Sequence, residues 1–260
     1  MSIDGISHCL LDTELSVRNL IQVIQSLPTE APSLYVDLEG ISLSRHGSIS
    51  LIAIFVHAQN FVYLVDIHTL QSAAFTTATA DGTTLKSVLE SPDITKVFFD
   101  VRNDSDALHY HFGVRLCGVE DVQLMENAAR SAGRRKFVNG LERCIDNDAP
   151  ISLVEKRDWK NTKERGLKLF HPSKGGSYNV FNARPIDAAI ERYCVNDVQF
   201  LPQLRNLYWG RLNEVWKNKV VEETEKRVRD SQSAAYQPQS DDKMFGPWER
   251  AKPKGSLNQR

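Results

Sequence analysis

No run in this 260-residue sequence approaches the roughly 20 apolar residues of a membrane-spanning helix. Its opening, MSIDGISHCLLDTELS, lacks a basic segment followed by a sustained apolar stretch, so no export signal is visible and an intracellular protein, cytoplasmic or nuclear, is expected. No membrane partner is expected either. Cysteine is scarce: Cys9, Cys117, Cys144 and Cys194 are scattered without CxxC spacing, which argues against a disulfide framework and a structural zinc site. They read as reduced, mostly buried thiols. Net charge is also nearly absent, 32 basic against 33 acidic residues, but the distribution is uneven. Residues 1–129 hold 6 Lys+Arg against 16 Asp+Glu, whereas residues 130–175 hold 12 against 6 and residues 211–260 hold 11 against 8. An acidic half beside a basic segment suits a metal site next to a phosphate-binding surface, although basic loops are also often merely solvated.

What is present is a chain, 41% apolar and 25% charged, able to bury a full core without staples. Residues 12–26 place Leu15, Val17, Leu20, Ile21 and Ile24 near helical spacing and predict an amphipathic helix. Three strand-like runs follow at 33–38, 49–56 and 61–67, joined by loops short enough for antiparallel neighbours. A short helix over 81–90, stopped by Pro92, precedes the apolar run KVFFDV at 96–101. Residues 103–112 predict a helix ended by Gly113, with a short strand over 118–121. Helices flanking Arg134-Arg135-Lys136 are expected between 122 and 144. Residues 155–184, polar, basic and glycine-containing, read as a long ordered loop. Pro185 marks a helix start, Pro202 interrupts that helix, and a charged helix spans about 209–231. The remainder is polar and reads as a tail, draped over the domain or disordered. A β-meander followed by β–α units predicts an α/β fold, a mixed sheet flanked by helices. The expected organisation is a helical lead-in over 1–32, a main domain over 33–210, and a charged helix and tail over 211–260.

Asp37 and Glu39 stand two apart on a strand-like segment, so both side chains share one face while Val36 and Leu38 point the other way. Paired carboxylates are tolerable when solvated, protonated or sharing a cation. Asp104 follows an apolar strand at the start of a helix, where active sites of open α/β sheets gather; a helix-capping role explains it equally well. Tyr193 and Asp197 are one helical turn apart, on a face that also carries Ala189 and Phe200. A buried aspartate needs a partner, while the tyrosine could be a plain core aromatic. Taken as a set, four carboxylates supply the oxygen ligands that hard cations need.

That set, in YVDLEG with SISLIAI, KVFFDVRNDSDALHYHFGV with VEDVQL, and IERYCVNDVQFL, resembles the DEDD 3′–5′ exonucleases over about residues 33–208. The resemblance is to the subgroup with tyrosine in the third motif, in particular RNase D-like and Werner-type exonuclease domains. It implies an RNase H-like mixed β-sheet whose first three strands are antiparallel, with Asp37, Glu39, Asp104 and Asp197 as metal ligands. Asp104 takes the second-motif position because it stands nine residues before Gly113; Asp106 is then a solvated helix residue and Asp121 a structural one. The implied cofactors are two divalent cations, Mg²⁺ or Mn²⁺, which bind the attacking and leaving oxygens of a phosphodiester, while Tyr193 orients the attacking water. The implied substrate is single-stranded nucleic acid, RNA favoured over DNA, degraded to nucleoside 5′-monophosphates. Arg134, Arg135, Lys136, Lys168, Lys174, Tyr178 and Phe181 are candidates for neutralising phosphates or stacking bases. Two other readings stay open: a non-catalytic nucleic-acid-binding or scaffold protein of the Egalitarian-like type, and an oligoribonuclease-like enzyme acting on dinucleotides. The hydrolytic reading requires that the four carboxylates meet in one cluster that no intruding lysine or arginine neutralises.

Overall fold

The computed structural model describes residues 2–3, 6–28, 32 and 34–249. Its centre is a seven-stranded mixed sheet. The strands are β1 (Ser2–Ile3), β2 (Ile6–Leu11), β3 (Leu34–Glu39), β4 (Leu51–Val56), β5 (Phe61–Asp66), β6 (Lys96–Phe98) and β7 (Val119–Asp121), in the order β1-β2-β5-β4-β3-β6-β7. As expected, β3, β4 and β5 form an antiparallel meander, with Asp37 opposite Ala53 and Glu39 opposite Leu51. β6 and β7 extend it in parallel from β3. The N-terminal lead-in also supplies a strand, since β2 pairs in parallel with β5. Its polar Ser7 and His8 hide it from an apolar-pattern reading, and cross-sheet pairing completes it.

The two sheet faces bury separate apolar layers. Helices α1 (Glu14–Gln25), α4 (Leu85–Glu90) and α5 (Arg102–Phe112) cover one, where Val36 and Leu38 point. The short helices α2 (Ile67–Leu70) and α3 (Ala73–Thr76) lie with them. The other face, where Tyr35, Leu51, Ala53 and Phe55 point, packs against α6 (Val122–Ala129), α7 (Leu141–Asp148), α8 (Leu153–Phe170), α9 (Ala188–Val198) and α10 (Leu201–Gly210). The last helix, α11 (Glu214–Ser231), contributes Val220 to one layer and Val228 to the other, covering the β7 edge. Gly113 ends α5 in the left-handed conformation, φ 62°, as its position predicts.

Three expectations are corrected. Residues 155–184 are mostly helix, not loop. Ser152 and Glu155 form a capping box that starts α8, a helix rich in Lys, Glu, Arg and Leu, of whose 18 residues Trp159, Gly166 and Phe170 are buried. So thin an apolar stripe gives little periodic signal. The helix expected over 209–231 starts later: α10, the segment after the Pro202 interruption, runs to Gly210, and Asn213 caps α11 by accepting from the Trp216 amide, 3.0 Å. Finally, Pro185 precedes α9 rather than starting it; the cap is Asp187.

All four cysteines are free; Cys144 and Cys194 are buried, Cys9 is half-buried and Cys117 is exposed. From the expected tail, residues 232–249 form a strap across α5. Tyr236 Oη and Lys243 Nζ both donate to Asn103 Oδ1 at 2.8 Å, and Arg102 donates to the Lys243 carbonyl, 3.0 Å. Residues 250–260 of that tail lie outside the described residues.

Candidate active site

Period-two alternation on β3 turns Asp37 and Glu39 to the face packed by α9, away from Val36 and Leu38. From α9, Tyr193 and Asp197, one turn apart, come down onto that face, each about 6% exposed. Carboxylate oxygens of Asp37, Glu39 and Asp197 all lie within 4.8 Å of one another. Asp104 comes from the first turn of α5; it is buried and feels the charge of Asp37, but stands outside that group of three. Three chain segments far apart in sequence thus converge at the ends of β3 and β6. Gly40 permits the turn after Glu39, since a Cβ there would stand 2.0 Å from the Ser48 carbonyl oxygen.

The electrostatics are those of crowded acids. Burial first, then the charge of Asp197, pushes the Asp37 carboxyl up to about 7. Burial and the Asp37 charge raise Glu39 and Asp104 well above the ordinary carboxylate range. Burial, with Asp197 and Glu39 nearby, likewise holds the Tyr193 hydroxyl well above its usual value, so it stays protonated.

One residue that the sequence reading placed in a loop stands inside this site. Lys163 Nζ lies 2.7 and 2.6 Å from the two Asp197 oxygens and 2.7 Å from Tyr193 Oη. A lysine thus intrudes on the cluster without neutralising it. Lys163 shares a stripe of α8 with Trp159, Gly166 and Phe170, at spacings of four, three and four residues. Gly166 lets α8 lie against the Tyr193 ring: a Cβ there would meet Tyr193 Cδ2 at 2.4 Å. Trp159 Nε1 donates to the Asn196 carbonyl, 2.9 Å, and Asn196 Nδ2 donates to the Trp159 carbonyl, 3.2 Å. The signal that could have found Lys163 is the S-x-x-E capping box, which starts the helix and so sets its face. One ammonium against four carboxylates still leaves an excess of negative charge. All-oxygen donors under mutual repulsion fit a hard divalent cation.

Other candidates fall differently. Arg135 lies 4.1 Å over the Trp216 ring, and its amide donates to Glu249 Oε2, 2.9 Å. Lys136 lies over the Phe137 ring, Phe137 bridges to Phe245, and the Arg134 carbonyl accepts from Arg130. Among the described residues, the interactions of this stretch run to α6, α11 and the strap rather than to the carboxylates. Lys174 pairs with Glu164 at 2.6 Å on the exposed side of α8, and Lys168 is exposed. Tyr178 stands 5.7 Å from the Phe170 ring, which in turn stands 5.0 Å from Tyr193. Phe181 is fully buried and offers no stacking face, a correction to its reading. Asp106 is corrected too: it is 1% exposed, accepting from the Arg45 amide at 2.8 Å and from Arg45 Nε at 2.6 Å. Asp121 is structural, capping α6 and pairing with Arg227 at 2.8 Å.

An RNase H-like mixed sheet with carboxylates gathered at its strand ends defines the class: a DEDD-type nuclease domain. A family model described as 3′–5′ exonuclease matches residues 10–212, and the chain belongs to that family, whose enzyme class is a 3′–5′ exonuclease hydrolase. The family is divalent-metal dependent. The chain is 34% identical over 93 residues to the piRNA biogenesis protein EXD1 of Mus musculus and of Homo sapiens, a stretch covering 36% of this chain but only 15% and 16% of theirs. Its fold is similar to Trypanosoma brucei RNase D in complex with RNA U12, with TM-score 0.67 and 21% identity over 88% of this chain and 71% of that one. Escherichia coli RNase D gives 0.60 and 17% over 88% and 51%. Brucella melitensis NrnC with bound Mg²⁺ gives 0.53 and 16% over 87% and 89%. Among the described residues no helix is long and apolar enough to cross a membrane.

Proposed function

We propose that this protein is a metal-dependent 3′–5′ exonuclease of the tyrosine-bearing DEDD subgroup, shortening single-stranded nucleic acid and releasing nucleoside 5′-monophosphates. The observation that carries the reading is the convergence of Asp37, Glu39 and Asp197 within 4.8 Å, with Asp104 beside them. RNA is favoured over DNA, in keeping with the RNA-bound T. brucei RNase D of similar fold. Asp37, Glu39, Asp104 and Asp197 would hold Mg²⁺ or Mn²⁺, the former being the ion named for NrnC. Bound there, the cation supplies positive charge for the scissile phosphate and lowers the pKa of a water. The chain's own residues do the rest. Tyr193, kept protonated by burial and its acidic neighbours, orients the attacking water through its hydroxyl rather than removing a proton. Arg134, Arg135, Lys136, Lys174 and Tyr178 would track the strand leading to the site.

A second reading, nucleic-acid binding without cleavage, has one observation in its favour: Lys163 already holds Asp197. Incubation of 3′-labelled single strands with Mg²⁺ or Mn²⁺ separates the two. Stepwise shortening is expected, reduced about a hundredfold or more by Asp104→Asn, since even groups behind a metal ligand cost 10–100-fold. Tight binding with no shortening at any divalent concentration supports the binding module.

A further inference from the structure

Lys163 stands where the proposed chemistry calls for oxygen atoms and metal ions. An ammonium has three donors, and here three acceptors take them: both Asp197 oxygens and Tyr193 Oη, all at 2.6–2.7 Å. Asp197 is thereby engaged on both oxygens. The lysine is also fixed in place. Its stem leaves α8 from the stripe that docks on α9, with Gly166 at backbone contact with the Tyr193 ring and the reciprocal Trp159–Asn196 hydrogen bonds one turn away. Nζ lies 4.2 Å from the Tyr193 ring centroid, a cation–π arrangement, and the side chain is only 19% exposed. No carboxylate outside the cluster competes for it among its described partners.

Fixed positive charge is already supplied from two sides: Lys163 acts on Asp197, Glu39 and Asp37, and Lys243 acts on Asp104. We propose that Lys163 is a built-in countercation that takes the place of one of two divalent ions, so that the site binds a single Mg²⁺ or Mn²⁺ while the ammonium keeps Asp197 and Tyr193. Of the four ligands proposed above, Asp197 is thus answered by Lys163, and the converging Asp37 and Glu39, with Asp104 feeling the Asp37 charge, are left for the ion. Lys163 then acts as a positioning residue. It holds the Tyr193 oxygen in a set orientation and provides at Asp197 a fixed positive charge that needs no assembly from solution.

The inference rests on the metal-site reading above, and ion counting separates the failure of one from the failure of the other. Mn²⁺ is titrated into the full chain and free ion is read by electron paramagnetic resonance. Wild type is expected to bind one ion, Lys163→Met to bind two, and Lys163→Arg, which keeps the charge, to stay at one. In Lys163→Met, adding Asp197→Asn should remove the second ion only. Circular dichroism melts establish that each variant is folded, and a direct readout needs no variant: the Lys163 Cε and Nζ resonances of wild type should hold their shifts on saturation with diamagnetic Mg²⁺. Two ions bound by wild type, or a Lys163 resonance that moves to the free-lysine position as Mg²⁺ is added, overturns the countercation alone. No ion bound by wild type or by Lys163→Met overturns the metal site, and the countercation with it.

Discussion

Two acidic groups sit side by side at the ends of neighbouring strands, and they differ in how their charge is answered. In one, the Lys163 ammonium serves Asp37, Glu39 and Asp197 and the Lys243 charge acts on Asp104, yet burial together with mutual repulsion drives three of the carboxyls upward. In the other, Asp100 and Asp121 face Arg102 and Arg227. Burial alone would raise Asp100, but hydrogen bonds from Arg102 and the charge of Arg227 win and hold it below its usual value. Asp121 accepts from the amides of Asp100, Val101 and Gln123 at 3.0–3.3 Å as well as from Arg227. Asp100 keeps a left-handed backbone, φ 65°, within this network. Burial is similar in the two groups; the supply of cations differs. A balanced group holds the fold together, and an unbalanced one keeps an excess of negative charge.

The largest effect that would break this contrast lies in the balanced group. Asp121→Ala leaves Arg227 buried with a neutral acceptor, Gln123 Oε1 at 3.1 Å, and a 3.6 Å approach to Asp100, and uncaps α6, so a loss of roughly 3–5 kcal/mol is expected in urea unfolding. A loss below about 1 kcal/mol would make Asp121 as dispensable as a surface charge. The opposite sign is expected in the unbalanced group. Without divalent ions, Asp37→Asn should stabilise the fold by on the order of 1 kcal/mol, the trade commonly seen where an active site is kept under strain. The gain depends on pH. Asp37 titrates near 7 in the fold against an ordinary 3.8, so its favourable contribution is complete in acid and is lost as pH rises through 7. The advantage of Asp37→Asn should therefore grow from about pH 4 to pH 8 in thermal melts, and saturating Mg²⁺ should reverse it. A flat difference across that range would remove the repulsion argument. The smallest effect belongs to Lys174, whose pair with Glu164 is well exposed. Lys174→Ala should change stability by no more than about 0.5 kcal/mol. If it meets the strand, it should flatten the slope of log affinity against log salt by about 0.7; an unchanged slope takes Lys174 off the path.

The elements that carry the carboxylates were legible because each declares itself locally. The branched run of β4, the alternation around Asp37 and Glu39, Gly113 at the end of α5 and the YCVND turn of α9 need no distant partner to be read. What stayed hidden depends on contacts across the fold. Asp106 reads as solvated until Arg45, 61 residues away, closes on it. β2 becomes a strand by pairing with β5 some fifty residues on. Lys163 was lost with the whole of α8, because a helix that buries three of eighteen residues and is followed by His171-Pro172 and Gly175-Gly176 imitates a polar loop. The carboxylate half of the site could thus be read from the chain, while the cation that answers Asp197 could not.

The family match stops at residue 212, yet Arg227 of α11 and the strap that grips Asn103 lie beyond it. The packing around the carboxylates therefore runs past the end of the family match. An expression boundary drawn at residue 212 would uncover the β7 edge, strand Asp121 without its guanidinium and release the helix that carries Asp104 from its strap.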